Sequence, residues 1–252
     1  MSGSVRIGTS GWVYKHWRER FYPPELRQNA WFDYFARHLD TVEINNSFYR
    51  LPTENAMLGW RRQAPAGFVY AVKASRYLTH MKKLKDPEEP IDNVVNRARV
   101  LGPHLGPLLY QLPPHWPYNG ERFQHFLAAL PRDLQHAVEF RELSWCNDEA
   151  RGLLERYGVA SCLHDMQGWP CSRWVTARFV FVRYHGPTQI KYAGSYDDDR
   201  LWKDAEQYAD WARQGLDVYA YFNNDQAAYA VYNAMRLRDM VASLLPAAVA
   251  SR

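Results

Sequence analysis

Cysteine is scarce, with three residues in a chain of 252. Cys146, Cys162 and Cys171 are too few and too irregularly spaced for a disulfide framework or a zinc knuckle, and nothing in the sequence marks Cys146 as a nucleophile. Long apolar runs are missing too: no stretch approaches the ~20 residues that cross a bilayer. Met1-Ser2-Gly3-Ser4-Val5-Arg6 lacks the apolar core of a signal peptide and enters a strand directly, so a cytoplasmic protein without a membrane partner is expected. Neither sign of charge dominates, and a net charge of +4 permits anionic partners without requiring them. Gly8-Thr9-Ser10-Gly11 is a tight turn and not a GxGxxG loop, Ser10 has no GxSxG context, and no HExxH spacing occurs. No internal repeat, low-complexity segment or domain linker is present.

Aromatic residues are abundant, with 10 Trp and 17 Tyr. Short β-branched or aromatic runs predict strands at Val5–Gly8, Thr41–Asn45, Phe68–Lys73, Pro107–Gln111, His136–Phe140, Val159–His164, Phe179–Tyr184 and Asp217–Phe222. Apolar spacing of three and four predicts helices at Asn29–Leu39, Glu54–Gln63, Ile91–Leu101, Gly120–Leu130, Asn147–Tyr157 and Asp199–Gln214, and a last one from Asp225 to about Ser243. Parallel strands need a crossover between them, so strict alternation implies a parallel sheet. The expected fold is α/β, a TIM-type (β/α)8 barrel forming one domain over residues 1–252. The crossover after strand six should be irregular, because the stretch from Met166 to Arg178 has no amphipathic face. An open doubly wound sheet is the alternative.

Polar clusters recur where the strands end, and in such a barrel the strand C-termini form the working face. Residues two apart on a strand share a face. Val42 and Ile44 suit the helix side, which turns Glu43 and Asn45 inward; the same logic turns in Glu139 and Arg141, Lys73, Arg183 and His185, and Tyr221 and Asn223, with Asp165 or His164 from strand six. Charges inside a barrel are costly unless paired. A structural plug, with Glu43 on Lys73 and Glu139 on Arg141 or Arg183, therefore stands beside any functional reading. Three chemistries compete. Glu43 and Glu139 can divide acid and base roles, as in glycoside hydrolysis. Glu43, Glu139, Asp165 and His185 can supply a hard oxygen-rich site for a divalent metal such as magnesium or manganese. Lys73, Arg76, Arg141 and Arg183 can clamp a phosphate or carboxylate.

The strand-end phrases Gly8-Thr9-Ser10-Gly11-Trp12, Val42-Glu43-Ile44-Asn45 with Phe48-Tyr49-Arg50-Leu51-Pro52, Gln111-Leu112-Pro113-Pro114, Glu139-Phe140-Arg141 with Ser144-Trp145, and Tyr221-Phe222-Asn223-Asn224 occur in this order. Together they resemble the domain of unknown function 72 (YecE-like) family, from about Arg6 to Leu237. The resemblance implies a TIM-barrel fold and brings no reaction with it. The expectation is an enzyme, hydrolase-like, acting at the barrel mouth on a small anionic substrate. Catalysis would fall to Glu43, Glu139, Asp165 and His185. Binding would fall to Trp12, Asn45, Tyr49, Lys73, Arg76, Arg141, Trp145, Arg183, Tyr221, Asn223 and Asn224. The alternative is a nucleic-acid-binding module, with mouth aromatics stacking bases and Lys82, Lys83 and Lys85 on phosphates.

Overall fold

In a computed structural model, which describes residues 2–165, 173–190 and 192–245, the strand-like runs pair side by side and close on themselves. The strands are β1 (Val5–Ser10), β2 (Thr41–Ile44), β3 (Val69–Lys73), β4 (Leu105–Gln111), β5 (His136–Glu139), β6 (Ala160–His164), β7 (Phe179–Tyr184) and β8 (Asp217–Phe222). Each pairs in parallel with the next, and β8 returns to β1. Around them lie α1 (Trp31–Ala36), α2 (Glu54–Gln63), α3 (Glu88–Arg99), α4 (Gly120–Ala129), α5 (Asp148–Tyr157), α6 (Asp198–Arg213) and α7 (Tyr229–Leu244). This is a TIM-barrel-like α/β architecture.

Local chemistry sets several helix starts. The side chains of Thr53, Asn119, Asn147 and Asp197 each accept from a backbone N–H of the first turn of α2, α4, α5 and α6. Gly158 ends α5 at φ 65°, a left-handed cap that costs glycine little. The last helix departs from expectation. It begins at Tyr229, not Asp225, because Ala227 and Ala228 take left-handed φ values of 55° and 63°. A tertiary contact accounts for the break: the Asp225 carbonyl accepts from the Trp17 indole at 3.2 Å and lies 2.8 Å from His16 Nε2, facing the β1 loop. The loop after β3, read as merely basic, contains a π-helical turn at Tyr77–Met81. The expected irregular crossover after β6 falls mainly on residues 166–172, outside the described residues.

The strands bury two faces. Their outer residues join the helices in one large core. Their inner residues Ala71, Leu109, Ala137, Ala160, Cys162, Phe179, Phe181, Tyr219 and Tyr221 form a second cluster that fills the barrel. Small residues on β3, β5 and β6 face aromatic ones on β7 and β8, so the interior is packed and not a pore. One alternation further along the strands come Lys73, Gln111, Glu139, His164, Arg183 and Asn223.

Gly8 shows how tight the interior is. It pairs with Tyr221, whose hydroxyl reaches Thr41 Oγ1 at 2.8 Å. A Cβ on Gly8 would stand 2.1 Å from the Thr41 carbonyl oxygen, a backbone atom that cannot swing away. Gly8→Ala is expected to cost roughly 3 kcal/mol, the upper end for an overpacked core, read as a lower urea midpoint. An unchanged midpoint would show that β1 and β2 can separate freely.

Candidate functional site

Arg183 is the hub of the polar layer. Its side chain, fully buried, donates from one terminal nitrogen to Glu139 Oε2 at 2.7 Å and from the other to Glu43 Oε1 at 2.8 Å. Register assists each carboxylate. Ser10, paired with Glu43, donates its hydroxyl to Glu43 Oε1 at 2.9 Å. Gln111, paired with Glu139, donates to Glu139 Oε1 at 2.9 Å. Arg141 bonds that same oxygen through Nε. Glu43 Oε2 and Arg183 Nε have no hydrogen-bond partner among the described residues. Burial alone would push the Glu139 carboxyl up, but the charges of Arg141 and Arg183 outweigh it and hold the carboxyl well below the usual range. The expected plug thus exists with one partner changed: Glu43 pairs with Arg183 and not with Lys73.

Histidines beside the network are neutral. Burial lowers His185 to about 3, Glu139 pushes it up, and the Arg183 and Arg141 charges push it down. Arg141 is a pure donor, so His185 Nε2 accepts from it at 3.0 Å. The 3.5 Å approach of Nε2 to Glu139 is then proximity, not a proton shared with the carboxylate. Asp165 accepts from the His185 backbone N–H at 2.8 Å and from the Tyr196 hydroxyl, which fixes the chain after β7.

Lys73 differs from its neighbours. It is 6% exposed, yet its amine has no hydrogen bond or ion pair among the described residues. The ammonium sits 4.2 Å from the centre of the Phe48 ring. Burial first, then the Arg183 charge, lower its pKa to about 8, against the pull of Glu43 and Glu139.

Above this layer opens a cavity of about 740 Å³ lined by thirteen residues, among them Lys73, Arg76, His80, Asp225 and Arg183. Of the sequence candidates, Asn45, Tyr49, Lys73, Arg76, Arg183 and Asn223 lie on its wall, whereas Glu43, Glu139, Asp165, His185 and Arg141 do not. Four others pack elsewhere. Trp12 packs edge-on against Phe32 and Trp60, and Trp145 is buried with Trp116, Phe123 and Phe140. Tyr221 is closed inside the barrel, and Asn224 bonds Gly194 and Asn233. Tyr14, Phe48, His80, Met81, Tyr192 and Asp225, which are not among the catalytic or binding candidates named above, also line the cavity. Tyr14, Phe48 and Asp225 closely follow strand ends, which is a usable signal. A histidine alone in a loop carries no such signal, yet His80 sits on the wall, where burial and the charges of Lys73, Arg141 and Arg76 lower it to about 4. No group of three or more His, Cys, Asp or Glu suited to a metal ion forms among the described residues. None of their helices is long and apolar enough to cross a membrane.

Comparison with known proteins gives a consistent match. The family model described as protein of unknown function DUF72 matches residues 6–250. The UPF0759 protein YunF of Bacillus subtilis is 22% identical over 94% of both chains. The UPF0759 protein YecE of Escherichia coli is 31% identical over 108 residues, 42% of this chain and 40% of that protein, so the match spans less than half of the relative. Among solved structures, a DUF72 family protein from Thermotoga maritima superposes with TM-score 0.83 at 25% identity, covering 94% of this chain and 99% of that one.

Two variants test the electrostatics. Arg183→Met leaves buried Glu43 without a cation and Glu139 with Arg141 alone, and is expected to cost ~3–5 kcal/mol near neutral pH. Wild-type stability from Glu139 is present above the unfolded carboxylate pKa of ~4.3 and is lost as pH falls. In the variant an unpaired buried carboxylate has a raised pKa, and its contribution is lost as pH rises. The gap between the two proteins, read by urea unfolding, should therefore widen from about pH 5 to pH 7; a constant gap would contradict the pairing. Lys73→Met should act oppositely and stabilise by roughly 1–3 kcal/mol near neutral pH. Between about 8 and the unfolded value of ~10.4 the unfolded chain binds more protons than the native one, so wild-type stability rises and the variant's gain fades.

Proposed function

The chain belongs to the DUF72 family of proteins of unknown function, and we propose that the mouth of its single barrel domain is an enzyme site for a small anionic ligand bearing a phosphate or carboxylate. One observation carries this reading. Glu43 and Glu139 are consumed by Arg183 and Arg141, while Lys73 and Arg76 face the cavity with no carboxylate partner among the described residues. Asp225 is the one acid on the wall. A cavity whose wall carries unmatched positive charge favours an anion. Arg76, with its guanidinium 5.8 Å from the Tyr49 ring centre, offers paired donors to an oxyanion.

Hydrolysis driven by Glu43 and Glu139 would need one of them to reach water at the wall. Both are fully buried, so we give them, with Asp165 and His185, the task of holding charge and geometry, and leave the reacting contacts to the wall. The exposure of Tyr49 (71%) and Tyr77 (51%) beside Arg76 favours one second reading, stacking of nucleic-acid bases.

Sulfate keeps its charge across the relevant pH range and serves as the probe. Calorimetric titration should show binding that Arg76→Ala weakens about tenfold, or ~1.4 kcal/mol. Wild-type affinity should fall as pH rises through about 8, where Lys73 loses its proton. Absence of sulfate binding, with oligonucleotide binding that weakens steeply with salt, would replace this reading by the second.

A further inference from the structure

The cavity wall holds a residue whose chemistry goes beyond anion binding. Among the described residues Lys73 is the buried lysine, and it comes from the end of β3, a rigid strand, not from a loop. Its amine is neither hydrogen-bonded nor ion-paired among the described residues, lies against Phe48, and opens on a cavity of about 740 Å³. We propose that Lys73 is a nucleophile that forms an imine with an aldehyde or ketone carbon of the anionic ligand bound in this cavity. The inference rests on the anion-site reading for the ligand's charge and adds the carbonyl group.

The surroundings suit that chemistry. A lysine becomes nucleophilic when it is desolvated or set beside another cation, and both apply. Burial comes first and the Arg183 charge second, and together they lower the ammonium to about 8. At pH 7 about a tenth of such a residue is free amine, against less than about one part in a thousand for a solvated lysine. The Glu43 and Glu139 carboxylates, which would hold the proton on, are turned to Arg183. Arg76, three residues along the same segment, remains to hold the ligand's phosphate or carboxylate.

The step balances without an oxidant or reductant. The free amine nitrogen adds to the carbonyl carbon, a C–N bond forms, and the π pair moves to oxygen. A proton passes from nitrogen to that oxygen, giving a carbinolamine. The hydroxyl then leaves with a proton as water while the nitrogen lone pair closes the C=N bond. Amine and carbonyl become imine and one water. Neutral His80 lines the same cavity and can relay these protons. Protonated, the imine withdraws electrons from the adjacent carbon, which is the activation needed for isomerisation or carbon–carbon cleavage beside a carbonyl.

The test uses the full chain and two aldehydes of similar size, glyoxylate, which is anionic, and glycolaldehyde, which is neutral. Each is incubated with the protein and cyanoborohydride, and reduced adducts are mapped by peptide mass spectrometry. Lys73 should be modified by glyoxylate at least about tenfold faster than Lys82, Lys83 or Lys85, with a rate that levels off above about pH 8 while those of the surface lysines still climb. Lys73→Met, checked for fold by circular dichroism, should lose that adduct and keep the slow surface ones. Sulfate should protect Lys73 from glyoxylate. If Lys73 reacts no faster than the surface lysines with either aldehyde, the nucleophile proposal falls, and sulfate binding by calorimetry still decides the anion site. If Lys73 reacts equally fast with both aldehydes and sulfate does not protect it, the nucleophile stands and the anion site falls.

Discussion

Arg183 lies out of water between two carboxylates, and taking each of these ions from water costs several kcal/mol that only close, well-directed opposite charge offsets. That requirement propagates through the barrel mouth. Glu43 on β2 and Glu139 on β5 must stand at the two reaches of one guanidinium rooted on β7, which sets the separation of three non-adjacent strands. Ser10 and Gln111 add hydrogen bonds from the neighbouring strands, and Arg141 draws the chain after β5 onto the same carboxylate. The cavity floor is therefore rigid because its charges cannot be left alone.

Much of this was legible from a period of two. Alternation alone turns Glu43, Lys73, Glu139, Arg183, His185 and Asn223 inside, because on a strand buried on both faces one face must meet helices and the other the axis. The spans of β7 and β8 were read without error for the same reason, since short runs such as Phe179–Tyr184 have a single sensible frame. Partner choice was not legible. Glu43 takes Arg183 from across the barrel and not Lys73 from the adjacent strand, and only the reach of the longer side chain through the lumen decides that. Trp12 and Trp145 were misjudged because residues after a strand end obey no period, and an indole in a loop can turn back onto the helices as readily as over the mouth. The start of α7 was missed because the competing hydrogen bonds come from Trp17 and His16, more than two hundred residues away.

Lys73 is a local defect in an otherwise paired layer. A sequence under pressure only to fold would place an apolar residue there, or a carboxylate beside the amine, and natural proteins tend to keep such unfavourable groups where they act. The left-handed pair Ala227 and Ala228 lies next to Asp225 at the same mouth, and residues held in that region cost of order 1–3 kcal/mol each. Both features thus fall at the strand C-terminal end, while the barrel interior is filled by ordinary aromatic and aliphatic packing.

The span of the Arg183 bridge also bears on how the polypeptide matures. Glu43 and Arg183 are 140 residues apart in sequence, and Ser10 and Arg183 are 173 apart. A ribosome-bound chain that has emerged only through β6 holds Glu43 and Glu139 but not the guanidinium that neutralises them both. Arg141 is already at hand for Glu139; Glu43 still lacks the guanidinium that pairs with it and must stay hydrated. The first six strands therefore gain little by sealing their mouth early, and the last third of the chain supplies both the closing strands and the missing charge. Contacts of such long range slow folding, but they also discourage a half-barrel from settling into a compact trap during synthesis.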